Sequence, residues 1–334
     1  MVQLLGLTLS SFFVTALLIV PFIDFLYKIK MRRKDQVTKD MFDNKTPLFD
    51  KFNQWKVGTP IGGGIIIILV VIVWTSWAYG ILNIPYNPWE IFIIFFTFIS
   101  FGLLGFYDDV KKLTNNKHAF FGLRFRHKFI IQWILAFIIA FALYYQLHYD
   151  FIFIHGLGKL DLGFIFVPFA AFVIVAFVNA FNITDGLDGL ASGLFLICLV
   201  AFLAISSALA DQPLGIFVAV LVGSVAAFLY FNIYKARLWL GDVGSLSLGA
   251  ALAVIGLLTG KVFALVIIGG IFVLEVASSM IQLLGKRYLK RKLLPVAPFH
   301  LYLLKRGWEE PKIVMRAWLV GFVLAVLGVF IALI

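Results

Sequence analysis

The sequence predicts an all-α polytopic membrane protein: ten transmembrane helices, both termini outside and the polar connections in the cytoplasm. Three observations carry that prediction. Of 334 residues, 62% are hydrophobic and 13% charged, against the roughly 25% charged residues that a water-facing domain of ordinary composition carries. Ten apolar windows are each long enough to cross a hydrocarbon layer of about 30 Å. Finally, 25 of the 28 Lys and Arg residues fall in the odd-numbered connections and only two in the even ones, which under the positive-inside rule places the odd connections in the cytoplasm. The net charge of +11 therefore reports orientation and attraction to anionic lipid, and nucleic-acid binding is excluded as its explanation.

The windows lie near 3–27, 61–82, 89–107, 129–147, 162–182, 190–210, 213–234, 243–260, 262–285 and 313–334. The first has no basic residue before it and no small-residue cleavage pattern, so it reads as a retained helix and not a signal peptide. Ten spans leave no room for a soluble domain, and residues 1–334 read as one integral membrane unit. Tyr86 and Trp89 read as an outer-interface belt. Arg316 is the one basic residue inside a span, and the single cysteine, Cys198, excludes an internal disulfide.

Five of the 17 acidic residues gather at span ends on the cytoplasmic side: Asp108, Asp109, Asp185, Asp188 and Asp242. A carboxylate inside a membrane costs roughly 2.5–3.5 kcal/mol on insertion scales, so such a cluster needs an interface, a cation or a polar cavity. Asp108-Asp109 ends the third window, followed by Lys111 and Lys112, which could neutralise the pair without a metal. Asn179-Ala-Phe-Asn182-Ile-Thr-Asp185-Gly-Leu-Asp188-Gly-Leu-Ala191 joins the fifth and sixth windows and contains no basic residue. Steps of three would place Asn182, Asp185 and Asp188 on one helical edge. Trp239-Leu-Gly241-Asp242-Val-Gly244-Ser245 opens the eighth window, where Asp242 suits either a helix cap or a phosphate-facing turn. His300 lies in the basic connection before the tenth window, and Glu275 lies within the ninth. The four groups of polar residues occupy four connections on one side of the membrane, which favours one assembled site. Carboxylates beside lysines suit Mg²⁺ and phosphate groups better than a softer metal, so phosphoryl transfer is the leading chemistry.

The same residues resemble the polyprenyl-phosphate sugar-1-phosphate transferases, most of all the phospho-N-acetylmuramoyl-pentapeptide transferase branch. The likeness runs from Lys56-Val-Gly58-Thr59-Pro60 through Asp108-Asp109, the Asn179–Ala191 stretch, Gly241 to Gly249 and Gly269-Gly270 to Glu275, and ends at Gly307-Trp308 to Trp318. It implies a homodimer of ten-helix chains in the bacterial cytoplasmic membrane, with catalytic loops in the cytoplasm and Mg²⁺ as cofactor. It implies transfer of phospho-N-acetylmuramoyl-pentapeptide from its UDP derivative to undecaprenyl phosphate, releasing UMP, for peptidoglycan synthesis. By the same resemblance Asp108, Asp109 and Asp242 are catalytic and metal-binding, with Asp108 toward the lipid phosphate. Asn182, Asp185, Asp188, Lys56, Lys112, Trp239 and His300 contact the substrates, with Trp239 in place of a Phe that stacks on uracil.

The chain departs from that branch in three places. His300-Leu301-Tyr302-Leu303-Leu304 replaces a run of three histidines followed by Tyr and Glu, Thr59-Pro60-Ile61-Gly62-Gly63-Gly64 replaces Thr-Pro-Thr-Met-Gly-Gly, and Asn53 replaces a histidine. These changes keep open a UDP-N-acetylglucosamine or other UDP-hexosamine transferase for teichoic acid or surface glycan. A transporter would place its polar groups at midplane and show a repeat between halves; neither is present in the sequence. A CDP-alcohol phosphotransferase shares Asp185 to Ala191 but needs an Arg where Ser192 stands.

Overall fold

The computed structural model describes residues 2–33, 50, 54–114, 125–154, 156 and 158–334. The candidate position Asn53 lies outside them. Twelve helices and one hairpin follow in order: α1 (Val2–Lys28), α2 (Gly63–Leu82), α3 (Pro88–Thr114), α4 (Phe125–Leu147), β1 (Phe151–Ile154), β2 (Gly158–Asp161), α5 (Phe166–Thr184), α6 (Leu190–Ala208), α7 (Gln212–Asn232), α8 (Gly241–Leu258), α9 (Val262–Ile268), α10 (Gly270–Tyr288), α11 (Phe299–Lys305) and α12 (Glu310–Leu333). Among the described residues, nine helices are long and apolar enough to cross a membrane, or ten crossings if the bent α9–α10 pair counts as one.

The bundle is built around α8. Its sequence, Gly-Asp-Val-Gly-Ser-Leu-Ser-Leu-Gly-Ala-Ala-Leu, alternates small and branched residues, and from Val243 to Leu258 every side chain is buried. Small residues let helix backbones close to contact where lipid supplies no hydrophobic drive of its own. A Cβ on Gly64 of α2 would stand 2.3 Å from the Cα of Gly244, and one on Gly105 of α3 would stand 2.1 Å from the carbonyl oxygen of Asp242. The first amides of α2 have no side-chain cap; Gly62 and Gly63 donate to the carbonyl of Trp239 at 3.1 and 2.8 Å, and Gly64 to that of Leu240 at 2.9 Å. α1 packs into the bundle through Thr8, which donates to the Ala219 carbonyl at 3.0 Å, and through Thr15, which donates to Ser224 Oγ at 3.1 Å.

The bundle has two ends of different character. At one, β1 and β2 pair antiparallel, with Phe151 opposite Asp161, between α4 and α5. Phe153 donates to the carbonyl of Gly260 at 3.3 Å, and the Lys261 ammonium lies 3.8 Å from the centre of the Phe153 ring. The other end gathers the basic connections, and every candidate residue within the described part is there.

Two expectations need correction. The ninth window, 262–285, is not one helix: α9 and α10 meet at an angle of 80°. Gly269, at the break, is pressed by the Phe177 ring, which a Cβ would meet at 2.7 Å. The pair still carries the chain from the hairpin end to the basic end, because α9 begins beside β1 and α12 begins among the candidate residues. Nor do Asn182, Asp185 and Asp188 share a helical edge. α5 ends at Thr184, Asp185 leaves the helical region at φ −74 and ψ 40, and the turn closes on Gly189 at φ +76 before α6 starts. The polar residues after Thr184 consequently point to different neighbours.

Candidate active site

Two ionic clusters and a buried His–Glu pair make up the basic end. The first cluster sits where the end of α3, the start of α4 and the start of α8 meet. α3 continues past its apolar window, so Asp108 and Lys112 lie one helical turn apart and their side chains face each other across 3.0 Å. Lys112 Nζ also lies 2.8 Å from Asp242 Oδ2 and 3.9 Å from Asp109 Oδ1. Lys128, on the first turn of α4, binds Asp108 Oδ2 at 3.1 Å and pairs closely with Asp242. Asp109 turns its other oxygen to the start of α8, where it accepts the Val243 amide at 3.1 Å. Asp242 Oδ1 accepts from Asn182 at 3.5 Å, and Asn182 donates in turn to Ser245 Oγ at 2.7 Å. Asn179, one turn earlier, donates to Gln132 at 2.8 Å and braces α5 against α4.

This cluster is open to the outside: Lys112, Lys128 and Asp242 keep 19%, 15% and 16% of their side-chain surface. Asp185 lies half-buried beside it, and its carboxylate accepts no hydrogen bond among the described residues. Burial, followed by the negative charge of Asp242, holds the Asp185 carboxyl well above the usual carboxylate range, against the attraction of Lys56. Three carboxylates, Asp108, Asp109 and Asp242, thus share two ammonium groups, with the Asp185 carboxyl beside them. Burial pulls the guanidinium of Arg33, nearby, down to about 10, against the attraction of Asp50, Asp185 and Asp242.

The second cluster is closed. Lys56 is fully buried and lies 3.1 Å from Asp188 Oδ1 and 2.7 Å from Glu310 Oε1. Its ammonium also donates to the Gly186 carbonyl at 3.3 Å and stands 4.8 Å from the centre of the Trp239 ring. Arg33 lies over the same ring at 5.2 Å. Asp188 Oδ2 accepts the Ala236 amide at 2.9 Å. Extended pairing of Arg32 with Pro60 and of Ile61 with Trp239 seats the Lys56 segment against the connection that precedes α8.

His300, an interfacial residue by sequence, is buried. Glu275 of α10 accepts its backbone amide at 3.1 Å and sits 3.1 Å from Nδ1. That bond makes Nδ1 the protonated nitrogen while the ring is neutral and leaves Nε2 as an acceptor. Nε2 has no hydrogen-bond partner among the described residues and abuts Gly186, where a Cβ would stand 2.6 Å away.

The structure thus draws Asp108, Asp109, Lys112, Asn182 and Asp242 into one contact network, and Lys56, Asp188 and Trp239 into another, with Asp185 and the turn through Gly186 between them. Sequence reasoning passed over Lys128, Glu310 and Arg33. Lys128 and Arg33 were indistinguishable from the other basic residues of the connections, and Glu310, next to Pro311, looked like an ordinary helix-start acid. Glu275 gave a signal, as a lone carboxylate in a span, but not its partner.

Among the described residues, no three His, Cys, Asp or Glu side chains form a ready metal cage. Mg²⁺ seldom uses one: it binds through one or two carboxylates with waters and substrate phosphates. The all-oxygen donors and the Asp185 carboxyl, which accepts no hydrogen bond among the described residues, fit a divalent, hard cation of that kind.

Residues 91–260 match the family model for Glycosyl transferase family 4. The chain is 35% identical to a phospho-N-acetylmuramoyl-pentapeptide-transferase of Aquifex aeolicus (strain VF5), over 96% of this chain and 90% of the relative. It is 34% identical to one of Geobacillus sp. (strain WCH70), over 96% and 95%, and 36% identical to one of Rickettsia rickettsii (strain Sheila Smith), over 83% and 80%. With the helical bundle and its polar end, these likenesses mean that the chain belongs to glycosyl transferase family 4, as a multi-pass membrane enzyme that transfers a phospho-sugar.

Proposed function

We propose that the protein transfers phospho-N-acetylmuramoyl-pentapeptide from its UDP derivative to undecaprenyl phosphate, releasing UMP, on the cytoplasmic side of a bacterial cytoplasmic membrane. The observation that carries this reading is the open cluster: carboxylates from α3 and α8, and ammonium groups from α3 and α4, meet at the basic end, where Lys112, Lys128 and Asp242 are partly exposed.

A phosphate monoester has its second pKa near 6, so at neutral pH the lipid nucleophile is already largely a dianion. Strong base catalysis is unnecessary. The difficulty is repulsion between two anionic substrates, and Lys112 and Lys128 answer it by exchanging a carboxylate partner for phosphate oxygens. Asp108 lies between the two lysines and is placed to orient the lipid phosphate or accept its residual proton. Asp242, with Asp109 or Asp108, would hold Mg²⁺, which when bound supplies charge neutralisation at the diphosphate and the leaving UMP. Trp239 offers its indole face to the uracil, and the turn carrying Asp185 lies between the nucleotide and phosphate sides. His300 Nε2 is an acceptor held toward the same turn. The homodimer that the resemblance implies belongs to this reading, and chemical cross-linking in native membranes tests it.

A second reading rests on α11, where Leu301 is buried and Leu303 and Leu304 pack on the core. An apolar helix at that place favours a smaller UDP-hexosamine, such as UDP-N-acetylglucosamine. One assay separates the two. Purified protein with undecaprenyl phosphate and Mg²⁺ should release UMP from UDP-N-acetylmuramoyl-pentapeptide; release only from UDP-N-acetylglucosamine establishes the second reading, and release from neither refutes both.

A further inference from the structure

Glu310 opens α12 and is 9% exposed. A single oxygen, Oε1, holds two donors that are far apart in sequence: the Lys56 ammonium at 2.7 Å and the Asp188 amide at 2.6 Å. Each of these reaches one step further. Lys56 contacts the Gly186 carbonyl and the Trp239 ring, and Asp188 accepts the Ala236 amide of the connection that leads to Trp239. Glu310 therefore sits at the hub of three connections, with Lys56, Asp188 and Glu310 itself closed from solvent.

The cluster is an uneconomical way to hold helices together. Two carboxylates share the Lys56 ammonium in a buried place, and well-packed apolar residues often stabilise such a position better. What the arrangement does provide is a fixed address for each polar group. If Glu310 is removed, the Asp188 amide and the Lys56 ammonium lose their common acceptor, and the place of Lys56 against Trp239 and the turn beside Asp185 lose a contact that fixes both.

We propose that Glu310 is a positioning residue for the nucleotide-sugar donor: it fixes Lys56, and through Lys56 the Trp239 ring and the turn at Gly186, without touching the transferred phosphate. The inference rests on the reading of the Trp239 side as the nucleotide side. It separates Glu310 from the open cluster, whose residues face the reacting groups.

The test compares the full-length parent with Glu310→Ala and Glu310→Gln in detergent, by calorimetric titration with UMP and by UMP-release kinetics at varied donor and varied undecaprenyl phosphate. Glutamine keeps an acceptor oxygen for both donors. Loss of a hydrogen bond to a charged group is worth about tenfold or more, so the alanine variant should bind UMP about tenfold more weakly and raise the KM for the donor equally. Its KM for the lipid phosphate should not change, and the glutamine variant should recover most of the loss. A parent that binds no UMP overturns the functional reading and this inference with it. A parent that binds UMP, beside an alanine variant that binds it equally well or that loses only active fraction for both substrates, overturns the inference alone. If the alanine variant does not fold, Glu310→Asp, shorter by one methylene, is held to the same donor-selective rise in KM, and an unchanged KM is the contrary result.

Discussion

The two ionic clusters at the basic end use the same chemistry, aspartates around lysines, to opposite effect. In the open one, Lys112 and Lys128 stand between Asp108 and Asp242 with some surface left to the outside. In the closed one, Lys56, Asp188 and Glu310 are sealed, and every partner is supplied by the protein. Partly exposed ion pairs are weak and readily exchanged, which is what a lysine needs if it is to release a carboxylate and take a phosphate. Sealed pairs are costly to break, because the remaining charge is stranded, and so they hold geometry. On the proposed reading, burial divides the lysines that would handle substrate from the lysine that holds the frame.

Breaking the open cluster should have the largest effect. Lys128→Met removes a charge that bridges Asp108 and Asp242, and should lower kcat by about a hundredfold or more, the scale of losing one preorganised electrostatic contact, with the melting temperature little changed. Steady-state UMP release and thermal unfolding in detergent check both halves. An equal fall in melting temperature would blur the contrast between the clusters.

Gly105→Ala disturbs the same cluster through the backbone. The added carbon would lie 2.1 Å from the Asp242 carbonyl oxygen, so α3 and α8 must separate. Overpacking of this kind costs roughly 1–3 kcal/mol, and activity should fall with it, about tenfold. Trp239→Ala should act on the nucleotide side instead, raising the donor KM by about tenfold, the scale of a lost base-stacking contact, while Trp239→Phe stays close to the parent. Initial rates at varied donor decide it.

The smallest effect concerns Asp185, whose ionisation is opposed by burial and by Asp242. A carboxyl raised in the folded state favours folding while it is protonated, and that contribution is lost as pH rises through its folded value. Asp185→Asn should therefore melt above the parent in metal-free buffer at neutral pH, with the advantage shrinking as pH falls into the ordinary carboxylate range. A gap that widens in acid would contradict the sign.

Much of this was legible in the chain because a membrane imposes strong constraints. Apolar windows marked the crossings, and the distribution of Lys and Arg marked the end at which Asp108, Asp109, Asp185, Asp188 and Asp242 would meet. What escaped was set by contacts between distant segments. The break falls at Gly269, where the Phe177 ring leaves no room for a Cβ, and no periodicity records that contact. The turn after Thr184 parts Asn182 from Asp188, because the backbone leaves the helix where residue spacing alone would continue it. Lys128 was hidden among basic residues that serve orientation, and Glu310 could be found only once Lys56, 254 residues away in sequence, was beside it.

The open cluster is proposed to work on phosphate groups with a divalent cation held through Asp242. Its most direct test is an Mg²⁺ titration of UMP release by the parent and by Asp242→Asn, each shown to be folded. The account predicts no release by the chelated parent, saturable recovery as Mg²⁺ returns, and turnover lower by orders of magnitude in the asparagine variant even at saturating Mg²⁺. Metal-independent release by the parent, or near-parental turnover by Asp242→Asn, would contradict it.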